Sequence, residues 1–148
     1  MTSERTIALV VAILSVGLSS PVLAKDIQVR MKNRGADGMM VFEPSYVKAE
    51  VGDVVTFVPT DASHNAESIP GIAPKGTAAF KGAMNKPVAF TATKPGLYGV
   101  KCLPHLSMGM VALVQVGKVS SGDLANARAV KLPALAAKRM TAALTLVK

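Results

Sequence analysis

The segment Lys101-Cys102-Leu103-Pro104-His105-Leu106-Ser107-Met108-Gly109-Met110 concentrates the chemistry that this chain can do. It holds the only cysteine of the sequence and one of its two histidines, with Met108 and Met110 close behind. Thiolate, imidazole and thioether form a soft nitrogen-and-sulfur donor set, better matched to copper than to magnesium, calcium or manganese. His64 is the only other imidazole in the chain. Two imidazoles, one thiolate and a weak axial thioether are the ligands of a copper ion that passes single electrons.

Other chemistries compete for the same residues. Zinc accepts Cys102, His64 and His105, and would complete its shell with water or a harder ligand such as Asp61 or Glu67. Cys102 activated by His105 or His64 would be a nucleophile, but no orienting carboxylate or oxyanion-stabilising feature accompanies the pair. Taken singly, a lone cysteine packs as a small hydrophobe, and a histidine in a polar loop is solvated. Cys-x-x-His is common by chance. Cys-x-x-His-x-x-x-x-Met between two predicted strands, with a second histidine upstream, is far more specific. Met108 rivals Met110 as the axial donor, its alternative role being to pack over the loop.

The elements that must position these residues are short. Asp26 to Asn33 alternates, with Ile27, Val29 and Met31 on one face, and predicts a half-buried strand. Gly35 to Gly38 is turn material. Met39–Phe42 and Ser45–Ala49 read as extended pieces broken by Pro44, and Val54–Val58 as a strand stopped by Pro59. The polar run Thr60 to Ser68, which carries His64, reads as a loop. Val88–Thr93, Leu97–Cys102 and Met110–Val116 are further strands. Tyr98, Val100 and Cys102 share one face, as do Met110, Ala112, Val114 and Val116, so both sulfurs fall at the same end. Short strands with turns about every 8–12 residues predict a β-sandwich. Beyond Gly117, Ser121-Gly122-Asp123 caps a predicted helix over Leu124–Val130, and Pro133 opens a second over Ala134–Val147. Ala136, Met140, Ala143 and Val147 form its docking stripe, with Lys138 and Arg139 off it.

Composition bounds the class. Residues 1–24 read as a secretory signal peptide: a cation at Arg5, an apolar run too short for the ~20 residues of a membrane span, and small residues before Lys25. The remainder is about one domain, expected as a β-sandwich over 25–117 and a helical extension over 121–148. In an exported chain a lone cysteine has no partner within the chain for a disulfide. The net charge of +8 is uneven, the part after Val116 carrying more than its share. Basic residues without interleaved aromatics argue against nucleic acid and for an acidic protein partner.

Val100 to Met110 matches the Val-Lys-Cys-x-Pro-His-x-x-Met-Gly-Met segment of cupredoxins of the pseudoazurin type, and the chain resembles that family over nearly all of residues 25–148. His64-Asn65, Met31 to Gly35, Phe42-Glu43-Pro44 and Gly52-Asp53 also fit, while Leu106 stands where relatives often carry an aromatic residue. The resemblance implies a mainly β, cupredoxin-like Greek-key sandwich with two C-terminal α-helices. It implies one type 1 copper held by His64, Cys102 and His105, with Met110 axial. It implies electron transport in the periplasm rather than enzymatic activity. Expected partners are redox proteins such as c-type cytochromes and a copper- or haem-type nitrite reductase of denitrification, docking near His105 on a basic surface. Neither nucleic acid nor, after signal cleavage, a membrane is expected as a partner. Arg34, Lys75, Lys81 and Lys101 are the candidate cations of that surface. A copper carrier and a zinc- or thiol-dependent hydrolase remain as readings from other classes.

Overall fold

The alternation that begins at Asp26 becomes β1 (Asp26–Gly35), whose Val29 and Met31 are fully buried. The computed structural model describes residues 23–148, so residues 1–22 of the expected signal peptide lie outside it. Gly35 and Gly38 close a tight turn into β2 (Gly38–Glu43), antiparallel to β1. On its other side β1 runs parallel to β4 (Val54–Pro59), and β6 (Val88–Thr91) completes the sheet antiparallel to β4. The second sheet runs in the order β3 (Tyr46–Ala49), β8 (Val111–Val116), β7 (Gly96–Lys101), β5 (Glu67–Ser68). In it β3 and β8 are parallel, and β7 is antiparallel to β8 and β5.

The core lies between the sheets, where the expected faces meet. Val29, Met31 and Phe57 of one sheet pack against Tyr98, Val100, Ala112, Val114 and Val116 of the other. Cys102 and Met110, just beyond the ends of β7 and β8, continue the same buried face at one end of the sandwich. All four phenylalanines and Tyr98 form a continuous aromatic chain, with neighbouring ring centroids 5.1–6.5 Å apart. Pairs of this kind add about 0.5–1.5 kcal/mol each beyond burial.

The outer face of the second sheet is covered by two helices, α1 (Ser121–Ala129) and α2 (Ala134–Leu144). Ser120 caps α1, one residue before the expected position: its hydroxyl accepts from the Asp123 amide, and the Asp123 carboxylate accepts from the Ser120 amide. Ala136, Met140, Ala143 and Leu144 are buried along α2, much of the predicted stripe. That helix ends three residues short of Val147, because the tail has stronger partners. The Gln115 side chain exchanges hydrogen bonds with the Lys148 backbone, and the Tyr46 hydroxyl donates to Leu146 O. One expectation needs correction. The polar run Thr60–Ser68 is not wholly loop, since Glu67 and Ser68 pair with Lys101 and Val100 as β5. Arg139, although off the stripe, is half-buried and engaged with distant backbone. Among the described residues no helix is long and apolar enough to cross a membrane.

Candidate metal centre

The ligand loop between β7 and β8 is closed at its base. The Cys102 amide donates to Met110 O at 3.0 Å and the Met110 amide to His105 O at 3.1 Å. His105 N–H turns back onto Cys102 O, and a short 3-10 turn (Leu106–Met108) carries the chain onward. Gly109 ends that turn at φ 85°, where a side chain would be strained and its Cβ would lie 2.7 Å from Leu135. Pro104 stiffens the outer limb and offers no N–H to the sulfur.

His64 reaches the same place from the loop after β4. Ser63 adopts φ 72° just before it, and the Asn85 side chain holds that turn by accepting from the Ser63 amide at 2.5 Å. The Asn85 amide in turn donates to His64 O at 2.8 Å. The His64 imidazole is thus directed inward and is wholly buried.

Three donor atoms converge. His64 Nδ1 lies 3.1 Å from His105 Nδ1, and Cys102 Sγ lies 3.8 Å and 3.5 Å from them respectively. Among the described residues this is the one cluster of three or more His, Cys, Asp or Glu side chains able to share an ion, and its donors all lie within 4.8 Å. Donors bonded to one transition-metal ion at about 2.0–2.3 Å stand about 3–4 Å apart, so the spacing fits. The donor set fits as well: one thiolate and two imidazoles without a carboxylate suit copper. Asp61 and Glu67, the harder ligands that zinc would draw on, are engaged elsewhere. Asp61 accepts from the Asn33 amide at 2.7 Å, and Glu67 pairs with Lys101 at 3.4 Å. Met110 is fully buried beside Cys102 in the core, whereas Met108 is 40% exposed.

The surroundings prepare these groups. Asn33 Oδ1, which can only accept, lies 2.9 Å from His64 Nε2. The proton of the neutral ring therefore sits on Nε2, and the Nδ1 lone pair faces the cluster. Burial lowers the His64 pKa below its ordinary value, and the adjacent His105 lowers it further. Burial raises the Cys102 pKa, while the Asn65 and His105 amides work in the opposite direction by favouring thiolate. Asn65 ties the two ligand loops: its Oδ1 accepts from the Leu103 amide at 2.8 Å, and its Nδ2 donates to Gly82 O and Glu67. Asn33, Asn85 and the Lys101–Glu67 pair were not evident from sequence, because each acts across many residues through a single side chain. The pairing also alters the expected docking surface, since Lys101 is a half-buried partner of Glu67 and not a free cation.

Comparison with known proteins bears on the same residues. The family model of copper-binding proteins, plastocyanin/azurin family, matches residues 29–117. Pseudoazurin from Paracoccus pantotrophus is 51% identical over 127 residues, covering 86% of this chain and 87% of that protein. The crystal structure of native pseudoazurin from Hyphomicrobium denitrificans superposes with TM-score 0.78 at 48% identity, over 83% of this chain and 98% of that one. Pseudoazurin from Methylobacterium extorquens AM1 gives TM-score 0.79 at 40% identity, over 83% and 99%. The chain therefore belongs to the plastocyanin/azurin family of copper-binding proteins and, within it, to the pseudoazurins, type 1 copper electron carriers rather than enzymes.

Proposed function

We propose that His64 Nδ1, Cys102 Sγ and His105 Nδ1 hold the copper with Met110 as the axial ligand, and that the chain works in the periplasm, passing electrons to a redox enzyme such as a nitrite reductase. The observation that carries the ligand assignment is the convergence of those three donors within 4.8 Å at the buried end of the sandwich. When bound, copper supplies a one-electron Cu(II)/Cu(I) couple. The protein's part is to hold the donors still. Asn33 orients His64, Asn65 joins the two loops, and the main-chain clasp between Cys102 and Met110 closes the loop. With His64, Cys102 and Met110 inaccessible to solvent, water has little access to the donors.

His105 is the one half-exposed residue of the proposed set. Leu103 is 50% exposed, Met108 40%, and Met84, next to the Asn85 that holds the His64 loop, 46%. These apolar residues, with the His105 edge among them, make a small contact face suited to a brief redox encounter. Periplasmic location rests on the composition of residues 1–24, and the nitrite reductase on the resemblance to pseudoazurins.

A visible spectrum of the Cu(II)-loaded mature protein tests the site. A thiolate on Cu(II) gives an intense charge-transfer band, expected here and lost in Cys102→Ser. Met110→Gln is expected to retain copper while shifting spectrum and potential, and Met108→Gln to change both much less. A colourless copper complex, or the reverse ranking of the two methionines, overturns the assignment.

A further inference from the structure

Arg139 makes an unusual set of contacts for a helix-surface arginine. Its Nη1 donates to Met40 O at 2.9 Å, Gly109 O at 3.0 Å and, more weakly, Met108 O at 3.4 Å. Its Nη2 donates to Met39 O at 3.0 Å and Asp37 O at 3.2 Å. Among the described residues it forms no ion pair, so the charged fork is spent on main-chain carbonyls. Its stem also lies against the ligand loop: a Cβ on Gly109 would come 3.1 Å from Arg139 Cδ. One planar group thus joins three segments, namely α2, the start of β2 with the turn before it, and the last two residues of the loop before Met110. Met40 is held there at φ 49°, a conformation unusual for a side chain of its size.

We propose that Arg139 is a positioning residue for the axial ligand, fixing Met108–Gly109 against the β1–β2 turn and so setting where the Met110 sulfur stands relative to Cys102, His64 and His105. The inference rests on Met110 being a ligand. The Cys102–Met110 clasp fixes Met110 only at its carbonyl and amide, and in the 3-10 turn behind it only the half-buried Leu106, the residue farthest from Met110, packs inward against the helical cluster. The anchor comes instead from the guanidinium, through carbonyls at the two positions immediately before Met110. Lysine keeps the charge but not the fork, and cannot bridge both segments in the same way.

The test compares Arg139→Lys, Arg139→Met and the exposed control Lys138→Met, each in the full mature protein, with Met110→Gln as reference. If Arg139 positions the ligand, both Arg139 variants displace the Cu(II) spectrum from that of the unsubstituted protein. Both also shift the Cu(II)/Cu(I) equilibrium against a reference couple at least threefold, while Lys138→Met does neither. In the metal-free protein, amide exchange at Cys102 and Met110 rises about tenfold in the Arg139 variants, with core strand amides unchanged. A wild-type spectrum and potential in Arg139→Lys overturns the proposal, leaving at most an effect of charge. A uniform rise in exchange over all amides likewise overturns it, as the mark of a general fold staple. If Met110→Gln itself leaves the wild-type spectrum unchanged, the ligand assignment fails and the proposal falls with it. A shift in Met110→Gln without one in Arg139→Lys sinks the proposal alone.

Discussion

His64 shows how much of the centre depends on a residue that never touches metal. Asn33 fixes the tautomer of its ring, so Asn33→Ala leaves Nε2–H without its acceptor and frees the ring to turn. Loss of such a partner typically costs 10–100-fold in metal affinity, and chelator competition with the loaded protein is expected to show a decrease in that range. Burial gives the same ring a pH signature. Its folded-state pKa is depressed below the ordinary 6.5, chiefly by desolvation, so the unfolded chain takes up a proton that the folded chain refuses. The metal-free protein should therefore hold this contribution above pH 6.5 and lose it progressively as the pH falls below that value. Urea midpoints measured from pH 7.5 downward check the sign, and in His64→Gln this part of the slope should vanish. Cys102 carries the opposite shift. Its thiol keeps its proton to a higher pH than usual, so copper uptake at pH 8 should release about one proton per ion, measurable in weak buffer; Cys102→Ser should release none.

At the scale of elements, the strands and helices that matter were written in local pattern. The alternation through Ile27, Val29 and Met31 and the shared faces of β7 and β8 gave both the sandwich and the placement of Cys102 and Met110 at one end. The donors were legible because soft ligands are scarce in this chain and cluster in one loop. The bonds that prepare them were not. Asn33 reaches His64 from 31 residues away and Arg139 reaches Gly109 from 30, and no periodicity records a side chain that ends on a distant carbonyl. β5 escaped notice because two residues carry no period, and the end of α2 because its tail is claimed by Gln115 and Tyr46. The helices support the second sheet from outside, and the start of α1 lies beside Gly96, at the end of β7 opposite Cys102. Removing its cap with Ser120→Ala should thus cost about 1 kcal/mol of stability and leave the visible spectrum unchanged. Denaturant titration alongside the spectrum checks both halves.

For the molecule as a whole, the cations expected around His105 divide between the two ends of β7. Arg34 stands opposite Met39 in the β1–β2 register, and Lys81 bridges to Glu67. Lys75 instead lies against α1 with its carbonyl held by Lys94, beside the start of β7 and away from Cys102, so it drops out of the expected face. Screening confines such charges to ~8 Å near physiological ionic strength. Electron transfer to an acidic partner is therefore expected to slow as salt rises, and further when Arg34 and Lys81 are both changed to Glu. Lys131 and Lys138, on the helical side, are the fitting controls, and equal losses from the two pairs in stopped-flow measurements would rule out a directed face. Lys101 is unsuited to this test because its reversal would set two carboxylates together at Glu67. The same helical side imposes an order on the molecule's birth. Arg139 grips Met40 across 99 positions of sequence, and Tyr46 grips Leu146 across 100. Contacts so far apart form late and slowly. A ribosome must have released nearly the whole chain before these grips can close, so the finished architecture is withheld from the nascent polypeptide until its final turn of helix exists.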